Sequence, residues 1–248
     1  MASVGDYESA ADASAASWVV AGLRGFAESV LSLVPAGFDA YGRIFHPAGN
    51  GQLETPVTWR AVAEANGKVA HPAMQWASIT GSFRFQHGAS QPGIWDTEPE
   101  EGSLPRQLLP ALVPVLARRT RTPERCWFAV WEGYGSLALS DHDAPAFDIP
   151  HRRLLLLTGP ITAVYTSLCS EPWCQSPSLW WPDDRAWCVE TEVDLMSTYV
   201  GGTGACIADL VTSQGLEAMA VQPADGVAYD SDRINPLPAG RPLPATRR

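Results

Sequence analysis

Apolar and polar residues alternate most regularly between positions 187 and 195. One set of side chains points one way, namely Trp187, Val189, Thr191, Val193 and Leu195, and the other set is Cys188, Glu190, Glu192 and Asp194. The pattern predicts an extended strand over 186–195 whose apolar side chains face the core. Three carboxylates at i, i+2 and i+4 on one strand repel one another unless water, a cation or arginines screen them. The acidic row Glu190, Glu192 and Asp194 is therefore the first candidate site.

Helical spacing of apolar residues dominates the first third of the chain. Four helices are predicted: 17–34 ended by Pro35, a short one at 38–45, one at 56–65 with Thr55 as N-cap, and one at 104–117 bent by Pro110 and Pro114. Strands are predicted within 73–86, at 126–131, at 154–157 and 161–166 as a hairpin, and at 216–221. A glycine-rich turn at 201–204 leads into a helix at 205–214.

This order of elements predicts an α+β fold, with N-terminal helices followed by a mainly antiparallel sheet and a C-terminal strand-turn-helix-strand. Residues 1–16 are expected to form a flexible leader, and 17–234 a single α+β domain. Residues 235–248, rich in proline and arginine, are expected to be a disordered tail.

Composition limits the partners. The 248 residues include 27 acids against 17 lysines and arginines, a net charge of −10. An acidic surface disfavours nucleic acid and anionic membranes and favours a basic protein partner. The longest apolar runs are too short to span a bilayer, no signal peptide is recognisable, and five cysteines, an odd number, fit reduced thiols. We therefore expect a cytoplasmic protein, and no cofactor is predicted.

A surface for binding is expected just before the acidic strand. Trp180 and Trp181 precede a proline, so we expect them to stay partly exposed. With Asp184 and Arg185 and the acidic row, they form the candidate binding surface. The acidic row itself has three interpretations: a solvated strand face, which is favoured, pairing with arginines, or a metal or catalytic site.

Three further segments carry weaker patterns that could form a site. The 201–204 turn could hold an anion, but a tight turn with Thr203 or Gly204 as N-cap is favoured. Cys169, Cys174 and Cys188 could supply three ligands to zinc, but separate free thiols are favoured. Asp141-His142-Asp143 is interpreted as a surface turn.

Two resemblances add to this picture. The segment 180–189 (Trp-Trp-Pro-Asp-Asp-Arg-Ala-Trp-Cys-Val), with Asp194-Leu195 and the run 197–202 (Ser-Thr-Tyr-Val-Gly-Gly), resembles a group of actinobacterial proteins with no established activity. That resemblance extends over roughly residues 30–235 and transfers no functional residue. The stretch Leu33–Tyr41 is similar to the Leu-Pro-x-x-Phe/Tyr element that opens the SUKH superfamily, with Val34 inserted before the proline. Many SUKH proteins act as immunity proteins against bacterial toxins, so this resemblance implies an interaction protein.

The leading hypothesis is a non-enzymatic interaction module, immunity-like or an adaptor, that presents an acidic, tryptophan-rich surface to a basic partner. The alternative is a metal-assisted hydrolase. Its ligands or acid/base pair would come from Glu190, Glu192 and Asp194, with Trp180 and Trp181 shaping the pocket and Arg185 orienting an anionic group. A small-molecule sensor is a third class.

Overall fold

A computed structural model describes residues 3–51, 56–85, 89–139 and 144–240. The strands in this part of the chain are β1 (Ser3–Val4), β2 (Tyr7–Ser9), β3 (Ala40–Phe45), β4 (Cys126–Trp131), β5 (Ala146–Ile149), β6 (Arg152–Gly159), β7 (Leu179–Pro182), β8 (Trp187–Glu190), β9 (Ser197–Gly202) and β10 (Ala218–Val221). The α-helices are α1 (Ser17–Gly22), α2 (Trp59–Ala65), α3 (Trp76–Thr80), α4 (Leu109–Arg118) and α5 (Gly204–Thr212). Short 3₁₀ helices lie at Ser14–Ala16, Val30–Ser32, Phe83–Phe85, Arg106–Leu108 and Ile161–Tyr165.

All ten strands belong to one antiparallel sheet. Their order is β1-β2-β6-β4-β7-β8-β9-β3-β10, and β5 adds to β6 as a branch. The centre of the sheet is built by the second half of the chain, while β3, from the first half, inserts between β9 and β10. The α+β class is confirmed, and so is the C-terminal strand-turn-helix-strand made by β9, α5 and β10.

Both faces of the sheet are covered by other parts of the chain, so that side chains on either face of the central strands are buried. On one face α4 and α5 pack over Phe128, Trp180 and Val189. On the other face the N-terminal segment, with Val19 and Val34, packs over the alternate set of strand residues. In β6, Leu155 and Leu157 contact the first layer while Leu154 and Leu156 contact the second. An antiparallel sheet commonly has one face in contact with solvent, and its strands then alternate apolar and polar residues. In this protein neither face of the central strands is exposed to solvent, so these strands contain continuous apolar runs.

A third apolar cluster lies beside β3. Helices α2 and α3 bring Trp59, Trp76 and Ile79 together with Phe45 and Trp95. Helix α2 begins at Trp59, and its N-cap is Thr58, whose side chain accepts from the Ala61 backbone N–H at 3.1 Å. Thr55, the predicted N-cap, lies outside the described residues. No helix in the described ranges is long and apolar enough to cross a membrane.

The N-terminal residues differ from the expected flexible leader. Strand β2 pairs with the edge of β6, and Tyr7 is fully buried against Phe128, with ring centroids 5.0 Å apart. This aromatic contact and the strand pairing fix residues that their Ala/Ser-rich composition suggested would be loose. Asn235, expected to be the first residue of a disordered tail, is instead buried and hydrogen-bonds Val69 and Asp232. Residues 241–248 lie outside the described part.

Four element predictions were wrong, each because a tertiary contact or a local break outweighed a short-range pattern. Residues 38–45 were predicted as a helix, but Ala40–Phe45 is a strand because it pairs on both sides. The helix predicted over 17–34 ends at Gly22, and Gly25 and Ala27 then adopt positive φ. Strands predicted in 73–86 and at 161–166 are the helix Trp76–Thr80 and the 3₁₀ helices Phe83–Phe85 and Ile161–Tyr165. Strand 126–131 and helices close to 56–65, 104–117 and 205–214 are confirmed.

Candidate functional site

The predicted acidic row is divided between a strand and a turn. Strand β8 ends at Glu190, and the Leu195 backbone N–H donates to the Glu192 carbonyl at 3.0 Å, which closes a turn over 192–195. The prediction of one extended strand to Leu195 was therefore wrong beyond Glu190. Only Glu190 keeps a strand position, and Glu192 and Asp194 project from the turn.

Glu190 is buried, with 6% of its surface exposed. In the sheet it lies opposite Leu179 on β7 and Tyr199 on β9, on the face that the N-terminal segment covers. Burial, and then the charge of Glu192, raises the pKa of the Glu190 carboxyl well above its usual value, although Arg152 acts in the other direction. Its Oε2 atom has no hydrogen-bond partner among the described residues. The favoured solvated face is thus wrong for Glu190.

Arg152 forms hydrogen bonds with the carboxylates of Glu192 and Asp194, the two acids of the turn. Its Nη2 donates to Glu192 Oε1 at 2.6 Å and to Asp194 Oδ2 at 3.1 Å. The guanidinium carbon lies 5.0 Å from the centroid of the Trp131 ring and 5.6 Å from that of Phe26. Desolvation still raises the pKa of Glu192, more than the paired arginine lowers it. Arginine pairing, the second interpretation of the acidic row, therefore describes Glu192 and Asp194.

Trp180 and Trp181 are core residues rather than surface residues. They are 0% and 1% exposed and belong to opposite faces of the sheet. Trp180 stacks on Phe128 at 6.0 Å, and Trp181 meets Trp18 edge to face at 6.0 Å. The prediction that they stay partly exposed was wrong because both sheet faces are covered.

Asp184 and Arg185 belong to the turn between β7 and β8. The Asp184 carboxylate accepts from Thr120 Oγ1 at 2.7 Å and from the backbone N–H of Arg121 at 2.8 Å. These hydrogen bonds and the one from the Ala186 N–H lower the pKa of Asp184 and outweigh its desolvation. Arg185 is exposed, with positive φ, and its guanidinium carbon lies 5.5 Å from the Trp18 ring centroid. The seven predicted residues do not form one binding surface.

A cleft that the sequence patterns did not single out lies at the end of β3. Its volume is about 470 Å³. The lining residues are Pro47, Ala48, Gly49, Asn50, Gly51, Pro56, Asp96, Thr97, Glu98, Glu100, Pro105 and Gln107. We call this the acidic cleft, because three of its lining residues are acids and none is Lys, Arg or His. Residues 96–100 belong to a stretch rich in proline, glycine and acids, and nothing in its pattern places it against residues 47–51.

The walls of the acidic cleft are held by specific hydrogen bonds. Gly49 exchanges backbone hydrogen bonds with Thr97, and the Asp96 carboxylate accepts from the Gly51 N–H at 2.6 Å. The His46 side chain donates from Nδ1 to the Glu100 carbonyl at 2.6 Å and accepts at Nε2 from Thr198 Oγ1 at 2.9 Å. Burial lowers the pKa of His46 to about 4, so the ring is neutral at pH 7 and suits this arrangement. The cleft is therefore preformed.

Glu100 lies on the wall of the acidic cleft, where the surrounding protein changes the pKa of its carboxyl. The residue is exposed overall, yet nearby protein atoms desolvate its carboxyl and raise its pKa, against a hydrogen bond from Ser103 that lowers it. A cation placed beside it would offset that cost and favour the ionised form.

The weaker patterns have structural explanations. Thr203 is the N-cap of α5, as favoured, and accepts from the Cys206 N–H at 3.2 Å. Gly201 has no side chain at a position where a Cβ would collide with the ring of Phe38, which packs against β9. All five cysteines are free thiols, and the described residues contain no group of three or more His, Cys, Asp or Glu that could hold a metal ion. His142 and its two flanking aspartates lie outside the described residues.

Comparisons of the chain with models of protein families, with curated proteins and with solved structures give no match. The resemblances to the actinobacterial group and to the SUKH superfamily therefore stay predictions. Function has to be inferred from the acidic cleft, the Arg152 cluster and the remaining cavities.

Proposed function

We propose that this protein is a cytoplasmic, non-enzymatic interaction module that receives a lysine or arginine side chain of a basic partner protein in its acidic cleft. The observation that carries the proposal is the lining of the cleft. Asp96, Glu98 and Glu100 face a preformed concavity of about 470 Å³ with no cationic side chain among the lining residues.

Electrostatics favour a cation at this position. A concave wall of one charge sign, next to protein of low dielectric constant, concentrates the potential in the cleft. The net charge of −10 adds a long-range attraction for basic proteins and raises their association rate. The cleft has the volume of a typical small-ligand site, which is ample for the end of one long basic side chain.

A basic partner agrees with the net charge, but its contact with this protein is not on the surface predicted around Trp180 and Trp181. Trp180 and Trp181 are unavailable for docking because they are buried in the sheet. The acidic cleft lies instead beyond the end of β3, between residues 47–51 and 96–100. The likeness of Leu33–Tyr41 to SUKH immunity proteins supports an interaction role.

No observation favours the metal-assisted hydrolase. Glu192 and Asp194 both bond Arg152, whose guanidinium occupies the position a metal ion would need. Glu190 is buried in the sheet and has a raised pKa. Within the described residues these carboxylates do not converge as a ligand set.

The test is an NMR titration of the isotope-labelled protein with the peptide Ac-Ala-Arg-Ala-NH₂, and with Ac-Ala-Glu-Ala-NH₂ as the opposite charge. We expect the arginine peptide to shift the backbone amides of Gly49, Gly51 and Thr97. The double variant Glu98→Gln/Glu100→Gln should weaken its binding about tenfold. Higher ionic strength should weaken binding as well.

A matched control is Glu8→Gln/Glu124→Gln, which removes the same charge from exposed positions outside the cleft lining. This control should bind the arginine peptide like the unmodified protein. Equal weakening by both double variants would mean that only the overall charge attracts the peptide. That result, or shifts that avoid the cleft, would overturn the proposal.

A further inference from the structure

A second cavity, of about 70 Å³, lies beside β3 on the side of α2 and α3. It is lined by Arg43, Trp59, Gln75, Trp76, Ala77, Glu101, Asp194, Leu195, Met196 and Tyr229. We call it the Arg43 cavity. Its lining combines a cation, acids and aromatic rings, whereas the charged residues of the acidic cleft are all acids.

Arg43 is the unusual member, because it is a buried cation without an ion pair. It is 3% exposed, and no carboxylate among the described residues forms a salt bridge with it. Its side chain donates three hydrogen bonds: from Nε to Ser197 Oγ at 3.0 Å, and from Nη1 to the carbonyls of Pro72 at 3.1 Å and Met74 at 2.8 Å. The rings of Phe45 and Trp59 lie 4.5 and 5.3 Å from its guanidinium carbon.

The other terminal nitrogen of Arg43, Nη2, has no hydrogen-bond partner within the described ranges. Two nearby carboxylates are already committed. Glu217 accepts from the backbone N–H groups of Trp59 and Arg60, and Asp232 accepts from His71 Nε2 at 2.8 Å. Since buried charges are normally paired, a guanidinium with no ion pair and with one unbonded terminal nitrogen beside a cavity suits an anionic group supplied by a ligand.

Hydrogen-bond acceptors also line the Arg43 cavity. Gln75 donates from Nε2 to Ser231 Oγ at 2.9 Å, and its Oε1 has no partner in the described part of the chain. Asp194, with 68% of its side chain exposed, adds a carboxylate to the lining; its Oδ2 accepts from Arg152, and its Oδ1 has no partner within the described ranges. These two groups accept hydrogen bonds and attract a cation, whereas Arg43 donates and attracts an anion.

We propose that the Arg43 cavity binds a small amino-acid zwitterion. The ligand carboxylate accepts from Arg43 Nη2, and its ammonium group donates to Gln75 Oε1 and Asp194. The size agrees, because 70 Å³ is about five times the space that one ordered water needs, which limits the ligand to a few non-hydrogen atoms. Glycine is the simplest member of this class. This site is separate from the acidic cleft and does not depend on the proposed function.

The experiment is isothermal titration calorimetry of the full chain with glycine, and with its two halves, acetate and methylammonium. We expect glycine to bind at least about tenfold more tightly than either half, because the zwitterion alone satisfies both ends of the cavity. Tryptophan, which carries the same zwitterion on a large side chain, should not bind. Acetate binding as tightly as glycine, or no binding of glycine at millimolar concentration, would overturn the proposal.

Two variants place the site. Arg43→Lys removes the Nη2 donor and should abolish glycine binding. Because a buried arginine also supports the fold, Asp194→Asn, at an exposed position, provides a second measurement. It removes the charge that attracts the ligand ammonium group and should weaken glycine binding at least about threefold. Glycine binding that is unaffected by Asp194→Asn would contradict the assignment, whether or not Arg43→Lys folds.

Discussion

At the scale of single residues, Glu190 shows how the environment changes the chemistry of a side chain. Its position in an alternating pattern indicates a carboxylate on an open strand face. In the structure the N-terminal segment covers that face, and the carboxyl lies between Leu179 and Tyr199. Burial then favours the neutral acid, and the pKa is raised well above its usual value.

This raised pKa gives a prediction for stability against pH. A carboxyl whose pKa is higher in the folded than in the unfolded protein keeps its proton on folding. The contribution of Glu190 to stability is therefore greatest below the ordinary glutamate pKa of about 4.5 and falls as pH rises towards the folded pKa. We expect Glu190→Gln to remove a slope of up to about 1.4 kcal/mol per pH unit from the free energy of unfolding in this range.

The measurement is urea denaturation of both proteins between pH 4 and 8. Glu8→Gln, at an exposed strand position, is the control and should keep the slope of the unmodified protein. Because Glu192 also has a raised pKa and contributes in the same direction, only the difference between Glu190→Gln and the unmodified protein is assigned to Glu190. Parallel curves for these two proteins would contradict the raised pKa of Glu190.

At the scale of elements, β7 places two large rings on opposite sides of one sheet. Trp180 points to the layer formed by α4 and α5, and Trp181 to the layer formed by the N-terminal segment. Successive strand residues alternate between faces, so a Trp-Trp pair can be wholly buried only where both faces are covered. The strand therefore joins the two layers.

Replacement of either ring is predicted to destabilise the fold. Trp180→Ala and Trp181→Ala should each lower the free energy of unfolding by about 3–5 kcal/mol, because each leaves a large cavity in close-packed surroundings. Trp173→Ala, at a position that is 56% exposed, is the control and should change it by at most about 0.5 kcal/mol. Chemical denaturation followed by circular dichroism measures all three. Near-normal stability of Trp180→Ala or Trp181→Ala would instead indicate an exposed, docking role.

At the scale of the whole molecule, the first described residues of the chain add to the sheet whose centre its second half builds. Strand β2 covers the edge of β6, where Glu8 pairs with Thr158 and Ser9 with Leu157. Tyr7 is inserted in the core against Phe128. An uncovered edge strand presents unpaired backbone groups and promotes association.

A chain that begins at Ala10 after an initiating methionine tests this arrangement. We expect it to melt at a lower temperature and to associate with increasing concentration, because the edge of β6 is uncovered and the Tyr7 ring is lost. Scanning fluorimetry and light scattering after gel filtration measure the two effects. The control is Tyr7→Phe, which keeps the ring and removes a buried hydroxyl that has no partner among the described residues, so its stability should be unchanged or slightly higher. A shortened chain that is as stable and monomeric as the full one would contradict the role of β2.

The sequence by itself determined what depends on near neighbours along the chain. The apolar run 126–131 predicts a buried strand, and the N-cap at Thr203 predicts the start of α5, because propensity and capping act over a few residues. The acidic net charge needs no fold at all. Only the tertiary structure decided which side chains meet water. Periodicity shows that Glu190 and Trp181 share a face of the sheet with their alternate neighbours, but not that residues 19–34 lie over that face. The acidic cleft and the Arg43 cavity likewise join segments distant in sequence, whose contact follows from how the layers pack.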